Sequence, residues 1–164
     1  MDIMNYNRLG IAVEIAFMAH KDQRTKDGEP YVYHPLEIMS KVKGFGCKIV
    51  AILHDVVKDT DYTLEDIWEH LELEVNHEII EAIDLLTHKA FWSYEEYINK
   101  IANSGNQLAI KVKIEDLKHN MDLSRIPKEN IDFLYKITNK ITNKYKPSLI
   151  KLKGVKELFT RGLK

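Results

Sequence analysis

Two histidines and two aspartates in this chain are placed where they could do chemistry. His34 stands in "PYVYHP". His54 and Asp55 stand side by side in the apolar run "AILHDVVKDT". Asp116 lies in "KIEDLKHNMD", with His119 and Asn120 just after it. Polar groups set in apolar sequence are costly to bury unless something satisfies them. Two imidazoles and two carboxylates form a donor set for a divalent ion such as Mn²⁺, Fe²⁺, Co²⁺ or Zn²⁺. Each piece alone has an ordinary explanation: a histidine on an apolar helix is commonly a satisfied core residue, and Asp116 can bond a neighbouring amide. On one helix, His54 and Asp55 would point about 100° apart. They share an ion only if it sits off the helix edge and other helices bring the remaining ligands, which makes the ion a clamp at the centre of a bundle. Residues four apart share a helix face, so Lys58 is expected over His54 and Asp59 over Asp55, both towards the ion.

The elements that must position these residues read almost entirely as helix. "YNRLGIAVEIAFMAH" carries Leu9, Val13, Ala16 and Phe17 near the 3.6-residue period. "QRTKDGEPYVYHP" breaks the pattern with glycine and two prolines and reads as a loop. Pro35 is expected to open the next helix as its first residue. "KIVAILHDVV" is apolar nearly all round, the mark of a central buried helix. Thr63 and Ser93, each with an acid three residues later, predict capping boxes. "NQLAIKVKIEDLKHNM" is a further long helix, and "IDFLYKITNKI" another. Strand signals are weak and no internal repeat is present. The expected fold is all-α, a single-domain bundle of about six to nine helices spanning residues 1–164 with a metal site at its centre.

Composition narrows the function classes. The 164 residues are 45% hydrophobic and 30% charged, ordinary for one globular domain. One cysteine, Cys47, excludes an internal disulfide and any multi-cysteine metal site within the chain. The cytosol is the expected compartment. "MDIMNYNRLG" has early acid and no apolar run, unlike a signal peptide, and no stretch reaches the roughly 18–20 apolar residues of a membrane span. Charge is uneven. Residues 136–164 hold nine Lys/Arg against Glu157 alone, while the rest hold 15 basic and 24 acidic side chains, a net of −9. The basic segment lacks interleaved aromatics for base stacking, so nucleic acid is not an expected partner. The sequence leaves a homo-oligomer open.

The order His, His-Asp, Asp resembles the HD-domain metal phosphohydrolases, and the likeness extends past those four residues. "AHKDQRTKDGEPYVYHPLEIM" is similar to the opening segment of the alarmone-hydrolase branch, A-H-x-x-Q…G-x-P-Y-x-x-H-P. "AILHDVVKDTDYTLEDI" is similar to its second motif, LLHDVVEDT…T.EDL, and "AIKVKIEDLKHNMDLSRI" to its third, VKLADLxHNMDLxR. The intervals of 20 residues from His34 to His54 and 61 from Asp55 to Asp116 fit as well. The likeness runs from about residue 10 to about 126 and is strongest to the single-domain bacterial proteins related to the hydrolase half of RelA/SpoT enzymes; a second, synthetase-type catalytic domain is not expected. The resemblance implies removal of the 3′-pyrophosphate of (p)ppGpp with Mn²⁺ as metal. It implies His34, His54, Asp55 and Asp116 as its ligands, and contacts to a phosphorylated nucleotide from His20, Gln23, Arg24, Lys26, Tyr31 and Asn120. Lys26 would meet phosphate as a point charge, and Arg24 would do so bidentately or stack on guanine. His70, His77 and His88 lie outside the motifs and are expected at the surface.

The chain departs from this pattern at one place. The second motif usually reads HD-x-x-E-D, and here it reads His54-Asp55-Val56-Val57-Lys58-Asp59. In the family, the two acids orient or deprotonate the attacking water. Asp59 remains, but Lys58 stands where the glutamate would be. A protonated lysine is a poor base and a good phosphate ligand. Loss of one acid–base group typically costs about 10²–10⁴-fold in rate. Weakened (p)ppGpp hydrolysis is therefore one expectation. The alternatives are hydrolysis of another nucleotide or phosphoester, and a sensor that binds a nucleotide without cleaving it.

Overall fold

The computed structural model describes residues 3–25, 28–71, 77–125 and 131–162. The chain is all-helical: α1 (Ile3–Ala19), α2 (Tyr33–Lys41), α3 (Phe45–Leu53), α4 (Val56–Asp59), α5 (Leu64–Leu71), α6 (His77–Leu86), α7 (Tyr94–Asn103), α8 (Gln107–Asn120), α9 (Ile131–Lys140) and α10 (Lys146–Gly162). A 3₁₀ turn covers Leu123–Arg125, and a π-helical segment, Ile141–Tyr145, joins α9 to α10. Among the described residues the only β feature is an isolated antiparallel bridge between Arg24 and Pro30.

The apolar helix expected at the centre is α3. It packs against α1, α2, α6 and α8, and Ile49, Val50, Ala51, Ile52 and Leu53 are fully buried. Burial of each large aliphatic side chain contributes about 1.5–3 kcal/mol, so α3 is a rigid post. Both expected capping boxes form. Ser93 Oγ accepts from Glu96 N while Glu96 accepts from Ser93 N, and Thr63 and Asp66 make the same reciprocal pair. Pro35 differs from expectation: it is the third residue of α2, not the first. Its missing N–H still falls in the first turn, where no intrahelical acceptor is available. Loop 20–33 is folded back on itself. Thr25 N donates to Glu29 O at 2.8 Å and Tyr31 N to Gln23 O at 3.0 Å, with Gly28 at φ 88° making the reversal.

The helix expected through residues 51–60 is broken at its polar pair. α3 stops at Leu53, His54 and Asp55 form a turn, and α4 is a single turn. The His54 side chain supplies a reason. Its Nδ1 lies 2.7 Å from Ala51 O, the carbonyl that would accept from Asp55 N in a continuous helix. Both residues keep right-handed helical backbone angles, and both are buried.

Candidate metal centre

Three packed helices deliver the site. His34 comes from the second residue of α2, His54 and Asp55 from the turn after α3, and Asp116 from the last turns of α8. All four are buried. His34 Nε2 lies 3.5 Å from Asp55 Oδ2 and 3.4 Å from Asp116 Oδ1. His54 Nε2 lies 3.1 Å from Asp55 Oδ2 and 4.0 Å from Asp116 Oδ1. Donor atoms of His34, His54 and Asp116 all fall within 4.8 Å of one another.

The protonation pattern bears on what fills that gap. With Nδ1–H of His54 donated to Ala51 O, the neutral form of the imidazole carries its lone pair on Nε2. That atom is buried and has no directed hydrogen bond, although Asp55 Oδ2 is 3.1 Å away. A lone pair facing a carboxylate oxygen is repulsive unless a cation lies between them. Donors bound at about 2.0–2.2 Å to one ion sit about 3 Å apart at adjacent corners, and the observed separations approach this. The donor set and spacing therefore fit a divalent cation.

Each carboxylate is held by one lysine and one neutral donor. Asp55 Oδ1 is 3.3 Å from Lys58 Nζ, and Asp55 Oδ2 accepts from Tyr31 OH at 2.7 Å. Asp116 Oδ2 is 2.6 Å from Lys113 Nζ, and its Oδ1 accepts from Asn120 Nδ2. Burial opposes ionisation of both acids, but the surrounding imidazoles and lysines overcome it and hold both well below the usual carboxylate range. Burial likewise works against a charged His34, yet the hydrogen bonds and charges of Asp116 and Asp55 raise it to about 9. Its Nδ1 is 2.8 Å from Nδ1 of buried His119. If His34 is the donor of that bond, its Nε2 is free to face the carboxylates.

The sequence-predicted residues divide by position. Tyr31 sits on Asp55. His20 Nδ1 is bonded to Gln23 Oε1 at 2.8 Å, and Gln23 Nε2 to Asp59 O at 2.7 Å, so this pair ties the loop to the end of α4. His20 is itself buried, with Nε2 lacking a hydrogen bond. Arg24 is exposed and folds back on the carbonyls of Lys21 and Gln23. Lys26 lies outside the described residues. Lys58 departs from the four-apart expectation: because the helix breaks, it reaches Asp55 and Asp59 instead of His54, with Nζ 2.9 Å from Asp59 Oδ2. Burial lowers the Lys58 pKa, but attraction to Asp55 and Asp59 more than reverses this, and it stays protonated. Lys113 and His119 were not assigned from sequence. Lys113 was legible in hindsight as a charge three residues before Asp116 in an apolar run.

An all-helical bundle with a buried His/His/Asp group at its centre is the architecture of HD-domain proteins. No family model matches the chain. It is 31% identical over 123 residues to the mouse guanosine-3′,5′-bis(diphosphate) 3′-pyrophosphohydrolase MESH1, covering 70% of this chain and 68% of that protein. It is 33% identical over 122 residues to a probable GTP pyrophosphokinase of Mycobacterium leprae, covering 70% of this chain but 15% of that protein's length. A solved structure described as a metazoan ortholog of SpoT that hydrolyzes ppGpp superposes with a TM-score of 0.63 at 22% identity, covering 96% of this chain and 97% of that one. The chain belongs to the family of RelA/SpoT-type HD-domain hydrolases.

Proposed function

We propose that the protein is a metal-dependent hydrolase that removes the 3′-pyrophosphate of (p)ppGpp or a closely related phosphorylated nucleotide, with Mn²⁺ as the metal. The observation that carries this reading is the approach of donor atoms of His34, His54 and Asp116 to within 4.8 Å of one another, with Asp55 Oδ2 3.5 Å from His34 Nε2 and 3.1 Å from His54 Nε2. A divalent ion held there supplies Lewis acidity and a water nucleophile at neutral pH.

The chain's own residues do the rest. Tyr31 and Lys58 hold Asp55, and Asn120 and Lys113 hold Asp116, so each carboxylate presents one oxygen inward at a fixed angle. Asp59 is the carboxylate left to take a proton from the attacking water, and Lys58 is bonded directly to it. That ion pair engages the Asp59 carboxylate that would accept the proton, while the ammonium remains able to attract phosphate. Slow turnover is the consequence. Lys58 also favours a second reading, in which the site binds the nucleotide and does not cleave it. Purified protein loaded with Mn²⁺ and offered a panel of phosphorylated nucleotides separates the two. Release of pyrophosphate from ppGpp supports the hydrolase; tight ppGpp binding without release supports the sensor; release only from another nucleotide redirects the substrate.

A further inference from the structure

Asp59 ends α4, a helix of one turn. A single turn fixes several residues for very few hydrogen bonds and does not hold its shape unaided. Here Asp59 N donates to Asp55 O at 3.0 Å and Thr60 N to Val56 O at 3.1 Å. The start of the turn is anchored by Val56, which is fully buried. Its last carbonyls have no donor within the helix. One of them is gripped from elsewhere in the chain: Gln23 Nε2 donates to Asp59 O at 2.7 Å, across 36 residues of sequence.

A carbonyl oxygen only accepts, so this bond sets which way the Gln23 amide faces. Gln23 Oε1 then lies 2.8 Å from His20 Nδ1, and His20 must donate. Burial pushes the His20 pKa down, with Gln23, Asp55 and Asp59 opposing, and a neutral ring protonated on Nδ1 meets that need. Both polar ends of the Gln23 amide are therefore engaged inside the protein. Tyr31 completes the arrangement. Its ring centroid is 4.9 Å from that of buried His20, its N–H donates to Gln23 O at 3.0 Å, and its hydroxyl donates to Asp55 Oδ2 at 2.7 Å. One loop thus grips Asp55 through Tyr31 and Asp59 through Gln23. A backbone hydrogen bond ties the two grips together, and His20 fills the corner between them.

We propose that His20 and Gln23 are positioning residues: with Tyr31 they form a brace that fixes Asp59 relative to Asp55, in place of the nucleotide contacts that the sequence resemblance implied for them. This rests on the hydrolase reading above and assigns the device that sets its proton acceptor. Without the brace, the Asp59 end of α4 is held only by its own turn and by Lys58, whose flexible side chain bonds both aspartates. A reacting group displaced by about 1 Å can lose about 10²-fold in rate.

The test uses Gln23→Met, which keeps the length of the side chain and removes both hydrogen bonds, and the pair His20→Phe and His20→Asn. The asparagine amide can still donate to Gln23 Oε1 from near the place of Nδ1. Turnover of ppGpp is measured with Mn²⁺, and amide hydrogen exchange is followed at Asp59 and Thr60. Gln23→Met should lower kcat about tenfold or more while KM stays within about twofold. Exchange at Asp59 and Thr60 should quicken about tenfold, with Leu117 in α8 unaffected. His20→Asn should recover most of the kcat lost in His20→Phe, and no recovery overturns the part assigned to His20. A raised KM with kcat kept makes Gln23 a nucleotide contact and overturns the brace, as does exchange at Asp59 and Thr60 that Gln23→Met leaves unaltered. If the wild type cleaves no nucleotide, the hydrolase reading fails by itself and exchange alone decides the brace: faster exchange in Gln23→Met upholds it, and unaltered exchange overturns it.

Discussion

Proton–metal competition at His34 gives a quantitative check on the candidate centre. In the metal-free protein the two carboxylates raise the His34 pKa to about 9 against an ordinary 6.5. A protonated imidazole has no lone pair for a metal, so binding must expel that proton. For one competing proton of pKa about 9, apparent Mn²⁺ affinity should rise about 80-fold between pH 6.5 and pH 8.5. The metal-free protein should move the opposite way. A group whose pKa is raised on folding contributes stability that is fully present below its unfolded value and disappears as pH climbs through the folded one. The shift of about 2.5 units corresponds to about 3 kcal/mol, lost between roughly pH 6.5 and 9. Calorimetric titration with Mn²⁺ in buffers of different ionisation enthalpy measures the proton released, and thermal unfolding with chelator measures the stability. An Mn²⁺ affinity that varies less than about threefold over this range, with no proton released, would refute the account of His34 as the competing donor.

Three further outcomes follow from the geometry. Lys58→Glu restores the acid that the family's second motif carries and frees Asp59 from its ion pair; kcat for ppGpp should rise about 10²-fold or more, and a variant no faster than wild type would show that Lys58 does not limit the chemistry. Lys113→Met leaves buried Asp116 without its 2.6 Å partner; the metal-free protein should lose about 3–5 kcal/mol in denaturant unfolding, and saturating Mn²⁺ should recover more stability than it gives wild type. His119→Phe removes the imidazole against His34 Nδ1 and should weaken Mn²⁺ binding about 10–100-fold, whereas undiminished affinity would reduce His119 to a packing role.

The all-helical fold was legible because its signals are local. The 3.6-residue period, the Ser93 and Thr63 capping boxes and the unbroken apolar character of α3 all act within a few turns, and local hydrogen bonds and burial are enough to realise them. His34, His54, Asp55 and Asp116 stood out for a related reason: a polar residue inside an apolar run needs a partner, and four of them at matching intervals point to a common one. Helical periodicity alone misplaced what depends on side chains competing with the backbone. It extended α3 through His54 because it could not register that the imidazole takes the Ala51 carbonyl, and so it set Lys58 over the wrong residue. Long-range packing decided the rest. The approach of α8 to α2 and α3 put His119 against His34. The packing of α10 on α8 and α7 brought Lys144 and Tyr145 against Tyr94, although α7 and the π-helical segment lie about forty residues apart. Such contacts depend on which faces of separate helices are buried together, and no pattern within a single helix encodes that choice.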